Sequence, residues 1–164
     1  MERGGRTLFA LITAGILAFG FSGGVSASSV SELQSLSAQE QSLIQAINNA
    51  RTARGVPPVR VGVCLRRAAR SHSRTMARTG SFAHGDWYRR LRRHGVRGRT
   101  LGETLAWGVG VDGTASAIVA MWLASPPHRA TMLSRSFRRV GVGVVVGTMS
   151  GFSGASVATA DFSG

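Results

Sequence analysis

Few side chains in this 164-residue chain are equipped for acid–base, nucleophilic or metal chemistry: four histidines, one cysteine and seven acids. Nucleophilic catalysis needs a serine or cysteine beside a base. Ser125 and Ser136 stand near enough to histidine-bearing segments to be weighed, but no nucleophile motif surrounds either. Cys64 is alone, so it can form neither an internal disulfide nor a multi-cysteine metal site. A small buried hydrophobe is its expected role. His72 falls on the apolar stripe of a helix, where a hydrogen-bonded core histidine is expected, and His94 ends an arginine-rich helix facing solvent. His84 lies in the loop Ser81-Phe82-Ala83-His84-Gly85-Asp86, and His128 follows Ser125-Pro126-Pro127. Asp161 could pair with an arginine, and nothing marks it as catalytic.

The elements that must position these groups follow from periodicity. Ser37-Ala38-Gln39-Glu40 is a capping box. Leu43, Ile44, Ile47 and Ala50 continue it as a helix that ends near Gly55 and Pro57-Pro58. A second helix is expected from Val63 to Thr79, with Leu65, Ala68, Ala69, His72 and Met76 on one stripe, stopped by Gly80. Its arginines, on other faces, read first as a solvated surface. A short helix from Trp87 to His94 carries the densest positive cluster, and Leu101 to Trp107 reads as a strand or extended loop. A third long helix spans Thr114 to Ala124, with Ala117, Ile118, Met121 and Trp122 facing inward, and His128 to Leu133 form a short helical turn. From Val140 the period changes to two, valines alternating with Gly141, Gly143 and Gly147. That glycine face would let a helix lie close to the sheet. A Gly/Ser turn returns the chain as Ser156 to Phe162, a hairpin. Helices followed by an antiparallel hairpin indicate an α+β domain.

Charge and the N-terminus bound the setting. Arg3 and Arg6 precede an uncharged apolar run from Thr7 to Phe21, and small residues close at Val25-Ser26-Ala27. This is the pattern of a secretory signal peptide, residues 1–27, cleaved after Ala27. The run is shorter than the roughly 20 residues of a membrane span, so the mature chain is not expected to be an integral membrane protein. A Ser-rich tether, residues 28–36, would lead into one domain over 37–164. Losing Arg3, Arg6 and Glu2 with the leader takes the net charge from +13 to +12, all of the positive charge being arginine. An exported polycation should adhere to anionic cell-envelope polymers in a salt-dependent way.

Five blocks, in order, carry a family resemblance: INNARTARG (47–55) with PPV (57–59); LRRAARSHSRTMA (65–77); SFAHG (81–85); LGETLAWG (101–108); and MWLASPPHRATML (121–133). The close, FRRVGVGV (137–144) with ATADF (158–162), is similar as well. The stretch from Leu43 to Phe162 resembles the bacterial branch of the CAP superfamily, the SCP or pathogenesis-related-1-like domain of the cysteine-rich secretory proteins. The resemblance implies an α-β-α sandwich with a central, mainly antiparallel sheet, flanking helices and a surface cleft. Many members carry in that cleft two histidines and two acids that can bind a divalent metal. Here His84 and Glu103 match the first histidine and the glutamate, whereas the remaining tetrad positions fall on Ser125 and Ser136. The bacterial Ser-Pro-x-His-Arg motif is matched by His128 and Arg129, with Pro127 for its usual glycine, and Thr104 stands for the usual asparagine after Glu103.

The resemblance thus implies a cleft of His84, Glu103, His128 and Arg129. Two imidazoles and a carboxylate suit zinc or another divalent metal with a coordination position left open. Separations of 19 and 25 residues do not by themselves bring these three together. The competing role is a hydrogen-bonded Glu–His pair that orders the cleft. Three functions follow. The favoured one is a non-enzymatic extracellular module that binds a small lipid or peptide, or an envelope polymer. The alternative is a metal-dependent, peptidase-like hydrolase using metal-bound water at His84, Glu103 and His128. The third, nucleic-acid binding, rests on charge alone; no reader motif or interleaved aromatics support a specific nucleic-acid partner. Nothing in the sequence requires association, so a monomer is expected.

Overall fold

The structure, a computed structural model, describes residues 36–164. The expected leader and all but the last residue of the expected tether lie outside the described residues. That last residue, Leu36, is buried, and its carbonyl accepts from the Gln41 side chain.

Helix α1 (Ala38–Thr52) begins on the expected capping box: Ser37 Oγ accepts from the Glu40 amide, and the Glu40 carboxylate accepts from the Ser37 amide. Strand β1 is two residues (Arg60–Val61), followed by α2 (Val63–Thr79), α3 (Trp87–Arg93) and β2 (Leu101–Gly108). A 3-10 turn (Gly110–Gly113) leads to α4 (Ala115–Ala124) and α5 (Pro126–Met132), and the hairpin β3 (Arg139–Met149) and β4 (Phe152–Ser163) closes the chain. The strand order is β1-β3-β4-β2; β1 is parallel to β3 and the other pairs are antiparallel. The expected α+β architecture is present, with a mixed sheet between helical layers.

Strand alternation gives the sheet two unlike faces. Val140 and Val142 of β3, Ala158, Ala160 and Phe162 of β4 and Ala106 of β2 point to α1, α4 and α5, forming the main core around Trp122. Gly141, Gly143 and Gly147 line the opposite face, under α2. A Cβ on Gly141 would fall on the backbone nitrogen of Arg66, and one on Gly143 on that of Arg70. The bare backbone is thus what lets α2 pack so closely, as the alternating glycines imply. Ser73 of α2 hydrogen-bonds Gly143 O and Thr159 Oγ1, both at 2.9 Å, within this close contact.

Two details differ from the sequence-based expectation. In α4 the buried residues are Ile118, Val119 and Trp122, with Ala115 packed beside them, while Met121 is exposed. An i, i+3, i+4, i+7 stripe places Val119, not Met121, against α1 and the sheet. Ser125-Pro126-Pro127 also does more than stop α4: Pro126 opens α5 at a first-turn position, where its missing N–H costs nothing. Arg51, at the end of α1, is wholly buried. Its Nε donates to Pro57 O at 2.9 Å, Nη1 to Met132 O at 2.6 Å and Ser134 O at 3.1 Å, and Nη2 to Phe137 O at 3.3 Å. One guanidinium therefore ties α1 to the loops on either side of it. Among the described residues, no helix is long and apolar enough to cross a membrane.

Candidate functional site

Glu103 lies on β2, at the edge of the sheet, on the face covered by α2 and α3. Its side chain is buried and both oxygens are engaged. Oε1 is 2.8 Å from Nδ1 of His84, and Oε2 accepts from the Arg90 guanidinium of α3. A buried carboxylate held this way is oriented by two charge-assisted contacts.

The loop bearing His84 is fixed from three directions. His72, on the α2 stripe, donates from Nε2 to Ala83 O at 2.9 Å. Burial, then the nearby Arg90, lowers the His72 pKa, favouring the neutral ring. Arg90 Nη1 donates to His84 O at 3.2 Å. Gly85 takes a positive φ of 58°, and Asp86 then caps α3 by accepting from the Arg89 amide at 3.0 Å. His72 therefore has the core role expected for it, and through Ala83 it also sets the position of its sequence neighbour His84.

His128, on α5, brings its ring centroid to 6.2 Å from that of His84, with the planes tilted by 43°. Burial, then the neighbouring His84, lowers its pKa, so the neutral imidazole is the favoured form. The His84 side chain is 47% exposed, so the imidazole pair opens to solvent while Glu103 stays behind it. Arg129 turns away: its Nη1 reaches back to Leu123 O at 3.4 Å, at the end of α4. Trp122 is core, with Nε1 donating to Leu105 O at 2.8 Å, and Trp107 lies against Phe152. Of the four expected cleft residues, three gather and the fourth is used elsewhere.

Two neighbours are not evident from the sequence. Arg90 belongs to a run of arginines, but it lies beside Leu91, the buried residue of α3, so the helical period places it at the border between solvent and interior. Asp161 is wholly buried on β4, in register with Glu103, and its oxygens have no hydrogen-bond donor among the described residues. Among the described residues, no arginine forms the ion pair with it that the sequence allowed. Burial, then the charge of Glu103, pushes its carboxyl well above the ordinary range, although Arg90 pulls the other way. A protonated Asp161 is itself a donor, with the Glu103 carboxylate as the acceptor at hand. Strand alternation held the clue: Asp161 shares the inward face of β4 with Thr159 and Val157.

Among the described residues, no three His, Cys, Asp or Glu side chains are disposed to share a metal ion. Within the expected His84–Glu103–His128 ligand set, Glu103 is engaged by both His84 and Arg90. The arrangement does fit a different use of the same residues, in which Glu103 fixes the ring of His84 from behind and the two imidazoles face outward.

Comparison with known proteins agrees with this architecture. The family model for CAP, the cysteine-rich secretory protein family, matches residues 44–162. The "uncharacterized protein YkwD" of Bacillus subtilis strain 168 is 29% identical over 116 residues, 68% of this chain. The match spans 44% of YkwD, less than half of that relative's length. An extracellular protein of Bacillus anthracis containing an SCP domain superposes with a TM-score of 0.58 at 24% identity, over 76% of this chain and 39% of that one. An outer surface protein of Borrelia burgdorferi gives 0.62 at 14% identity, over 83% of this chain and 92% of that one. With the family model covering most of its length and the same fold in these structures, the chain belongs to the CAP family of cysteine-rich secretory proteins.

Proposed function

We propose that the protein is an extracellular CAP-type binding module, without catalytic activity of its own, whose small ligand is received at His84 and His128. The observation that supports this most directly is the engagement of both Glu103 oxygens by His84 and Arg90. A carboxylate committed in this way orients an imidazole and is not free to shuttle protons for a substrate. The outward side then offers two imidazoles, with Nδ1 of His84 tied to Glu103 and Nε2 left for a ligand. Donor nitrogens on the two rings, with the Arg90 guanidinium behind them, favour an anionic head group, such as a peptide carboxylate or a fatty-acid carboxylate. A divalent ion at the same place would draw on the two imidazoles, with Glu103 as the outer carboxylate that fixes His84; when bound, it would supply a point of attachment for such a head group.

The test is a histidine side-chain NMR titration of the purified protein with laurate, an N-acetylated dipeptide and zinc ion in separate arms. Saturable shifts at His84 and His128, lost in His84→Ala and His128→Ala, are expected in at least one arm. Turnover of a peptide or ester panel that disappears in both variants would replace this reading with the hydrolase. No shift in any arm would remove the cleft as the binding site.

A further inference from the structure

A second surface, on the other side of α2 from the sheet, carries a row of arginines that the histidine cleft does not use, although its edge reaches His72 and Arg90 behind that cleft. Arg67, Arg70, Arg74 and Arg78 follow one another along α2 at intervals of three or four residues, each step close to one helical turn of about 5.4 Å. Arg67, Arg74 and Arg78 are exposed and have no ion-pair partner among the described residues, whereas Arg70 is paired with Glu40. These residues line a trough of about 650 Å³, with His94 on its far side. A second recess of about 380 Å³, between α2 and α3, shares Ser71, Thr75 and His94 with the first and adds Arg89 and Arg93, both exposed. The two form one continuous trough floored by small hydroxyl side chains and flanked by guanidinium groups. Among the described residues, Asp86 is the one acid on its walls.

We infer that this trough binds a linear phosphodiester polymer of the cell envelope, of the polyol-phosphate kind. Three features select that partner. The arginines are spaced along a line at a turn-by-turn interval, which suits successive phosphates of an extended chain, and guanidinium forks bind phosphate in a bidentate manner. Of the exposed large hydrophobic residues among those described (Phe82, Tyr88, Val109, Val111, Met121, Val146 and Phe152), none lines the trough to offer an apolar wedge for a bilayer. It likewise presents no aromatic platform on which bases would stack, as single-stranded nucleic acid requires. This inference goes beyond the cleft reading and does not depend on it.

The experiment measures binding of fluorescent poly(glycerol phosphate) to the purified protein across a salt series. Parallel arms use an oligothymidylate of matched charge and vesicles containing phosphatidylglycerol. Arg74→Gln with Arg78→Gln should weaken polymer binding about tenfold at about 50 mM salt and lower the log–log salt slope by about 1.4, or about 0.7 for each phosphate no longer neutralised. Arg60→Gln with Arg99→Gln removes the same charge from exposed positions outside the trough and should change affinity less than twofold. His84→Ala should leave polymer binding unchanged, which separates this result from the fate of the cleft. Thermal melts verify that the four glutamine substitutions leave the fold intact. Equal losses in the two double variants would reduce the effect to diffuse charge and overturn the inference. So would tighter binding to the oligonucleotide or the vesicles at matched phosphate concentration.

Discussion

The two faces of the sheet solve opposite problems. Toward α1, α4 and α5 the strands present Val140, Val142, Ala160 and Phe162, and stability comes from filling space around Trp122. Toward α2 they present Gly141, Gly143 and Gly147, and packing comes from leaving space empty so that helix backbone can approach strand backbone. The polar groups that support the site gather on one side. Ser73, Thr159, Glu103 and Asp161 are all buried on the glycine-lined side, and the histidine cleft opens at its β2 edge. One face is thus mainly a core, and the other is a close-fitting support for the site. The largest test of that contrast pairs an addition with a deletion on adjacent residues of one strand. Gly141→Ala drives a methyl group into Arg66 N and should cost about 3 kcal/mol or more, because backbone on both sides has to move. Val142→Ala, facing the other way, should cost about 2 kcal/mol through the cavity it leaves. Chemical denaturation of both variants measures the difference; a Gly141→Ala protein as stable as the parent would break the comparison.

Much of this asymmetry was legible in the sequence. A strand whose valines alternate with glycines announces two unlike faces, and Leu65, Ala68, Ala69, His72 and Met76 announce the helix that covers one of them. The Ser37–Glu40 capping box could be read because both partners lie within four residues. The partners of buried charges could not. Glu103 meets Arg90 across a gap of 13 residues that contains a helix end and a loop, and Arg51 reaches carbonyls more than 80 residues away. An arginine at a helix end looks the same in sequence whether it faces water or fills a junction. Composition deepens the ambiguity, because twenty arginines make any one of them look like surface. The meeting of His84 and His128 depends on how α5 packs beside β2, and only the family resemblance anticipated it.

The next test addresses why an acid is buried on the support face. Asp161 has a folded-state pKa raised by burial and by Glu103. Its contribution to stability is therefore fully present below the ordinary carboxylate pKa and is lost as pH rises through the elevated value. Between the ordinary and the elevated value the loss approaches about 1.4 kcal/mol per pH unit, and above the elevated value, where both states are ionised, it levels off. Asp161→Asn keeps the shape and a donor but cannot ionise. The variant should be more stable than the parent on the alkaline side, and its melting temperature should vary less with pH there. Melts of both proteins from acid to alkaline pH provide the check. Parallel profiles would mean that Asp161 is ionised throughout and has a partner beyond Glu103. The same variant bears on the cleft, since a neutral neighbour leaves Glu103 as the charged acceptor for His84.

The smallest effect concerns the polar intruder on the apolar face. Thr104 follows Glu103 on β2, so alternation turns it toward the main core; it is fully buried and its Oγ1 has no hydrogen-bond partner among the described residues. A buried hydroxyl without a partner carries its desolvation cost uncompensated. Replacing it with a methyl group of nearly the same size should therefore stabilise the protein, and Thr104→Val is expected to gain about 1 kcal/mol. Thr104→Ser, which keeps the hydroxyl and deletes the methyl, should lose about as much. The two together separate polarity from packing. If Thr104→Val were instead destabilising while Thr104→Ser was tolerated, the hydroxyl would have to serve a partner reached through the sheet edge. The division into a space-filling face and a supporting face would then fail at the strand that carries the site.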